Sequence, residues 1–219
     1  MNRFGAVVLA AGYGRRMGGR KLELPWGEQT VLEATIGSVR RAGVGEVVVV
    51  LGAEAERLAP LAESAGARWV LNPNHELGML TSVQAGLASL GEVAGAFVLP
   101  GDHPLVQPST MTALGQALAP PWGMVIPHYH GQRGHPLLLA GDLFAAVAEL
   151  DLAVGLRQLR ERLPERVAGL EVDDPGVVAD LDRPEDYARW QAVLKKIEDS
   201  CESTLKLRWI RRIRESESS

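Results

Sequence analysis

Short apolar runs alternate with amphipathic segments along most of the chain. Residues 6–10 and 46–51 form apolar runs, and the second contains four consecutive valines, as in strands buried on both faces of a sheet. Residues 30–42 instead carry apolar side chains at helical spacing, with Thr30 placed to cap the helix and Gly43 to end it. Strands that alternate with helices in this way predict βαβ units around a mostly parallel sheet.

The same alternation continues to residue 172. It predicts helices over residues 54–65, 78–90, 143–150 and 154–163, and strands over residues 68–71, 94–99, 124–127, 137–140 and 167–172. We therefore expect a Rossmann-like, three-layer α/β domain over residues 1–194, followed by a basic amphipathic tail over residues 195–219. Ligands of open α/β sheets bind where the parallel strands end, so candidate functional residues should follow the strands.

The first apolar run opens into a glycine-rich, cationic loop, Leu9-Ala-Ala-Gly-Tyr-Gly-Arg-Arg-Met-Gly-Gly-Arg-Lys21. Glycines let a ligand approach the backbone amides, and Arg16 and Lys21 add full positive charge, so the loop predicts a phosphate site. A dinucleotide fingerprint would need a third glycine at Met17, and a P-loop would need a Gly-Lys-Ser/Thr triplet, which does not occur. A plain dinucleotide-binding domain is therefore the weakest alternative.

Two further segments follow predicted strands. Asp102, in Pro100-Gly-Asp-His-Pro104, offers a hard carboxylate ligand for Mg²⁺ at the edge where the glycine loop lies, although a turn residue before proline would look the same. Asn72 begins an Asn-Pro turn that leads into a helix, and Ser82 lies in the first turns of that helix. They could hydrogen-bond a base or ribose, but helix capping alone would also explain them.

The second half of the chain carries a histidine-rich loop and an acidic pair. Three histidines within residues 128–135 suggest zinc, but no fourth ligand stands at a recognised spacing. Arg133, Gly134 and His135 fit better as a polar rim for an anionic substrate. Asp180 and Asp182 precede a predicted helix that contains Pro184, and helix capping would explain one of the two aspartates but not both.

Composition narrows the class of protein. A chain of 219 residues with 46% hydrophobic side chains is expected to be globular, and a net charge of −4 gives no reason to expect a nucleic-acid partner. The single cysteine, Cys201, rules out a disulfide framework and, with no secretory signal, favours the cytoplasm. No apolar run approaches the ~20 residues that a membrane span needs.

These motifs resemble a known enzyme family. Residues 9–21 are similar to the signature loop of nucleotidyltransferases, and above all to the molybdenum cofactor cytidylyltransferase and guanylyltransferase group. The resemblance covers roughly residues 4–194. It also rests on Gly101-Asp-His-Pro104, on the Asn72-Pro…Gly78-Met…Ser82 element, on Gly131-x-Arg-Gly-His-Pro136 and on Asp180-x-Asp-x-Pro-Glu-Asp186. The Arg133 loop is the motif that best separates this group from sugar-phosphate nucleotidyltransferases.

The resemblance implies a fold of the nucleotide-diphospho-sugar transferase type and a Mg²⁺-dependent transfer of a nucleoside monophosphate. Catalysis would fall to Arg16, Lys21 and Asp102. The nucleotide would contact Leu9, Ala10, Ala11, Gly12, Gly14, Arg16, Lys21, Asn72 and Ser82, and the metal would contact Asp102 with Asp180 or Asp182. A molybdopterin-type acceptor would contact Arg133, Gly134 and His135, and Ala11 favours CTP over GTP.

Other functions stay open at this stage. A sugar-phosphate nucleotidyltransferase is the alternative within the same reaction class. A non-catalytic nucleotide-binding accessory protein for a molybdoenzyme is the alternative outside it, although two separated carboxylates beside a triphosphate site argue for catalysis. A molybdoenzyme or its chaperone is also the protein partner that the resemblance suggests. The tail has apolar residues between cations, as in surface-binding helices and in plain terminal appendages.

Overall fold

The computed structural model of the protein describes residues 1, 3–14 and 19–195. Arg16 and residues 196–219 of the predicted tail therefore lie outside the described residues. Ten strands follow in chain order: β1 Phe4–Ala10, β2 Pro25–Trp26, β3 Gln29–Thr30, β4 Glu46–Leu51, β5 Arg68–Leu71, β6 Gly95–Pro100, β7 Met124–Tyr129, β8 Gln132–Arg133, β9 Leu137–Ala140 and β10 Val167–Glu171.

Eight of these described strands form one sheet. Its order is β10-β7-β9-β6-β1-β4-β5, with β8 paired to β7. Strand β1 lies between β4 and β6 and is parallel to both, and β4–β5 and β7–β10 are also parallel pairs. The predicted mostly parallel sheet is confirmed, and the carboxyl ends of β1 and β6 meet at one edge.

One feature of the sheet was not predicted. Strand β9 runs antiparallel to both of its neighbours, β6 and β7. The reversal begins at a two-residue turn after β7, where His130 and Gly131 both have positive φ, of 49° and 75°. Such a turn matches the twist of a β-hairpin, so the chain folds straight back along β7 through β8 and then β9.

The helices are α1 Val31–Arg41, α2 Ala55–Ser64, α3 Met79–Ser89, α4 Pro108–Ala117, α5 Phe144–Ala148 and α6 Arg157–Arg162, and residues 184–195 are also helical. The predicted cap of α1 is confirmed: Thr30 Oγ1 accepts from Glu33 N at 3.3 Å, and the Glu33 carboxylate accepts from Thr30 N at 2.8 Å. Helix α4 was missed, and α6 begins three residues later than predicted.

Apolar cores cover both faces of the sheet. Helices α1, α2 and α4 pack on one face, and α3, α5 and α6 pack on the other, which confirms the three-layer α/β fold. A third cluster joins Trp26 and Val31 to Leu181 and to Tyr187 of helix 184–195, so the segment after the glycine loop packs against the acidic segment near residue 180. None of the helices in the described ranges is long and apolar enough to cross a bilayer.

Candidate active site

A cavity of about 590 Å³ opens at the carboxyl ends of β1 and β6. It is lined by residues from the glycine loop, from the turn after β6, from the start of α3, from the Arg133 loop and from the acidic segment. The predicted site residues among them are Leu9, Ala10, Ala11, Gly12, Gly14, Lys21, Ser82, Asp102, Arg133, Gly134, His135, Asp180 and Asp182. Of the predicted residues within the described ranges, only Asn72 is absent from this lining.

Lys21 joins two carboxylates from distant parts of the chain. Its Nζ contacts Asp102 Oδ2 and lies 2.8 Å from Asp182 Oδ1. Asp102 is the second residue after β6 and its side chain is only 9% exposed, whereas that of Asp182 is 44% exposed. Lys21 begins a short 3₁₀ turn, Lys21–Glu23, after the glycine loop. The packing of this segment against Leu181 explains how the two ends of the chain meet here.

The ionised forms of this cluster stabilise one another. Burial alone would raise the pKa of Asp102, but the hydrogen bond and charge of His103, and then those of Lys21, hold it well below its usual range. Burial would lower the pKa of Lys21, but Asp102 and Asp182 outweigh it, and the pKa is raised. Asp180 differs, because burial, with the nearby charges of Asp182 and Asp102, raises its pKa.

His103 is a site residue whose role was missed from the sequence. It is 4% exposed, and its Nδ1 lies 3.2 Å from Asp102 Oδ1. Its ring meets that of His135 edge to face, with centroids 5.3 Å apart. Burial, and then the charge of His103, lowers the pKa of His135 to about 4, so His135 is neutral near pH 7. The motif contained His103, but no spacing rule indicated its contact.

The glycine loop is closed upon itself. Gly19 N donates to Gly14 O at 3.1 Å, and both glycines have positive φ, which favours glycine over other residues. A Cβ built on Gly12 would meet nothing within 4 Å, so the backbone there faces open space. A ligand can therefore approach the peptide groups of the loop on the cavity side.

Asn72 does not line the cavity but holds a residue that does. It is 2% exposed, and its Nδ2 donates to the hydroxyls of Thr81 at 2.8 Å and Ser82 at 2.9 Å. Its Oδ1 accepts from Asn74 N, so both ends of the side-chain amide are engaged within the protein. In this arrangement Asn72 orients Ser82, which does line the cavity. Met79, from the same Asn-Pro…Gly-Met…Ser element, also lines the cavity, and so do Glu54 and His75, which were not predicted as site residues.

The Arg133 loop is held against the residues that precede Asp180. His135 N donates to Val177 O at 2.7 Å, and Gly134 N donates to Pro127 O at 2.8 Å. A Cβ on Gly134 would lie 2.5 Å from Val177 O, so no larger residue fits there without a shift. Arg133 itself is exposed, and its guanidinium has no ion-pair or hydrogen-bond partner among the described residues.

The carboxylates of Asp102 and Asp182 suit a cation that also binds phosphate oxygens of a substrate. The described part of the chain contains no group of three or more His, Cys, Asp or Glu side chains arranged to hold a metal. Mg²⁺, however, usually takes one or two carboxylates and completes its shell with waters and phosphate oxygens. Asp102 and Asp182 already converge on one cationic centre, the ammonium of Lys21, and so fit that pattern better than a closed metal site.

Comparison with known proteins decides the family. The sequence model of the MobA-like NTP transferase domain matches residues 6–167, which is most of the chain. The chain belongs to this family. It is accordingly a nucleotidyltransferase. The matched MobA-like region contains Lys21, Asp102 and the Arg133 loop, whereas Asp180 and Asp182 lie beyond its end.

Three known proteins illustrate the range of activities among those similar to this chain. Molybdenum cofactor cytidylyltransferase of Escherichia coli is 24% identical, with coverage of 85% of this chain and 95% of that protein. Nicotine blue oxidoreductase of Paenarthrobacter nicotinovorans is 29% identical, with coverage of 84% and 94%. The solved complex of Mycobacterium tuberculosis Rv0371C with manganese is 27% identical, covers 85% and 96% of the two chains, and has a TM-score of 0.67.

Proposed function

We propose that this nucleotidyltransferase moves CMP from CTP to the phosphate of a molybdopterin-type acceptor, with Mg²⁺ and with release of pyrophosphate. The observation that carries the proposal is the placement of Lys21 between Asp102 and Asp182, beside the open backbone of the glycine loop. A metal-chelated triphosphate needs cations for its phosphates and carboxylates for its metal. Both stand at one end of one cavity.

The reaction balances without a covalent enzyme intermediate. An oxygen of the acceptor phosphate forms a bond to the α-phosphorus of the nucleotide, and the bond from that phosphorus to the bridging oxygen breaks, so pyrophosphate leaves. Loop amides and Lys21 would bind the triphosphate and neutralise its charge. Asp102 and Asp182 would hold Mg²⁺, which supplies charge neutralisation at the phosphate oxygens when it is bound. Arg16 would add a further cation.

The acceptor would contact the part of the cavity lining that Arg133 and His135 form. Arg133, whose guanidinium has no partner within residues 1, 3–14 and 19–195, offers a planar fork for an anion, and neutral His135 can hydrogen-bond an acceptor without a net charge. The name of the Escherichia coli relative supports CTP and the molybdenum cofactor. Ala11, which lines the cavity, agrees with the cytidylyl branch. The solved complex of Rv0371C with manganese supports a divalent cation as the metal of this chain.

The oxidoreductase relative is the reason to test a second reaction class. Purified protein is incubated with each of the four ribonucleoside triphosphates, Mg²⁺ and either extracted molybdopterin or sugar phosphates, and pyrophosphate is measured. Release with CTP and the pterin alone supports the proposal, and release with a sugar phosphate supports the alternative acceptor. Nucleotide binding without turnover supports an accessory protein. Redox conversion of nicotine blue by the protein, without pyrophosphate release, would overturn the proposal.

A further inference from the structure

Arg57 lies outside the cavity but contacts both ends of the segment that carries Lys21. It belongs to α2, and its guanidinium donates to Gly19 O at 3.1 Å. The same group forms ion pairs with Glu23 Oε2 at 3.2 Å and with Glu54 Oε1 at 2.7 Å. Residues 19 and 23 flank Lys21 on either side. One planar group therefore joins the end of the glycine loop, the 3₁₀ turn and helix α2.

Gly19 is the point at which the glycine loop closes. Its N–H donates to Gly14 O, and its C=O accepts from Arg57, so both polar groups of the residue are engaged. A Cβ built on Gly19 would lie 3.2 Å from Glu54 Oε1, so the backbone packs closely against the Arg57 partner. A glycine-rich segment has many accessible conformations, and fixing its end removes much of that freedom before a ligand binds.

We propose that Arg57 is a positioning residue for the triphosphate site. Arg57 holds the closed end of the glycine loop and the backbone on either side of Lys21. This inference rests on the proposed binding of a nucleoside triphosphate by that loop. Arg57 itself touches neither substrate nor metal. Its planar fork is suited to the role because two guanidinium nitrogens reach three groups, the Gly19 carbonyl and the carboxylates of Glu23 and Glu54, whereas a lysine ammonium is a single point charge.

The test is nucleotide binding by calorimetry without acceptor, together with steady-state kinetics. Arg57→Met should weaken CTP binding and raise its KM by at least about tenfold, because small displacements of a binding group are costly. The acceptor KM should stay unchanged. Arg57→Lys should fall between Arg57→Met and the parent protein. Arg68→Met is the matched control, because Arg68 bonds Glu46 and the Ser89 carbonyl far from the cavity.

The outcomes separate the inference from the proposed function. If the parent protein binds no nucleoside triphosphate, the proposed function fails. If the parent binds CTP and Arg57→Met binds it equally well, the positioning role fails alone. A purely structural role would lower the melting temperature or the active fraction and leave the KM for CTP unchanged, which would also overturn the inference. Equal effects of Arg57→Met and Arg68→Met on the KM for CTP would do the same.

Discussion

Two parts of the cavity lining handle charge in different ways: the part formed by Lys21, Asp102 and Asp182, which we name the nucleotide end after the proposed function, and the part formed by Arg133 and His135, which we name the acceptor end. At the nucleotide end, Lys21 is paired with Asp102 and Asp182, so the charged groups are held in place by one another. At the acceptor end, Arg133 is exposed and meets no ionic partner in the described part of the chain, and His135 is neutral. Paired charges are preorganised but must exchange partners when a ligand binds. Unpaired charges attract a ligand without such an exchange.

The largest effect is expected from Asp102→Asn at the nucleotide end. The amide cannot hold a divalent cation as a carboxylate does, so the rate of pyrophosphate release at saturating substrates should fall by about 10²- to 10³-fold. Asp142→Asn is the control, since Asp142 is a 60% exposed carboxylate paired with Arg166. A variant at Asp102 that kept a third of the parent rate would show that this end does not carry the chemistry.

Lys21→Met should have two opposite effects. The rate should fall by roughly 10²-fold, because the triphosphate loses a cation. Binding of Mn²⁺ to the nucleotide-free protein, followed by electron paramagnetic resonance, should tighten by about tenfold, since no ammonium then occupies the space between Asp102 and Asp182. Lys21→Arg keeps the charge and should leave Mn²⁺ binding weak. Unchanged Mn²⁺ affinity in Lys21→Met would show that the metal binds elsewhere.

Local sequence patterns predicted part of the nucleotide end, and long-range packing determined the rest. Lys21 and Asp102 each follow a buried strand, and parallel strands end at one edge, so their proximity could be predicted from local patterns alone. The choice between Asp180 and Asp182 could not, because it depends on how residues 20–26 pack against Leu181. In the structure Asp182 contacts Lys21, whereas Asp180 lines the cavity with a raised pKa.

Contacts between residues far apart in the chain could not be predicted from local sequence patterns. Arg57 looks like any exposed helical arginine until Gly19 and Glu23 are placed beside it. Strand β9 was predicted as a strand, but its antiparallel direction depends on the tight turn at His130. Helix α4 was missed because half of its residues, Pro108-Ser-Thr-Met-Thr-Ala-Leu-Gly-Gln-Ala117, are proline, serine, threonine or glycine, which weaken the helical pattern of the other half.

At the acceptor end, Arg133→Gln should act on binding more than on chemistry. The acceptor KM should rise by about tenfold, whereas the KM for CTP and the rate at saturation should change little, because the lost charge was paired with nothing in the described structure. The acceptor KM of the parent should also rise with salt more steeply than that of the variant. Arg40→Gln is the control, since Arg40 bonds the Gly66 carbonyl on another face. Equal rises in both KM values would show that the two ends are not separable.

The smallest effect concerns stability in acid. The pKa of His135 is lowered to about 4 by burial and by His103, with Asp102 acting in the opposite direction. An unfolded histidine titrates near pH 6.5. As the pH falls from about 7 to 5, position 135 therefore binds a proton in the unfolded state but stays neutral in the folded state. The free energy of unfolding decreases as a result. Asp102 stays ionised across this window, because its pKa is held low, and adds no change.

Urea unfolding at about pH 7 and pH 5 measures this loss directly. The parent should lose about 1–2 kcal/mol more than His135→Gln between the two conditions, a figure that allows for partial exposure of the ring. The other histidines are common to both proteins, so the difference reports on position 135 together with its contact with His103. An equal loss in the two proteins would mean that His135 is not held neutral by its surroundings. The contrast between a paired nucleotide end and a neutral, open acceptor end would then rest on Arg133 alone.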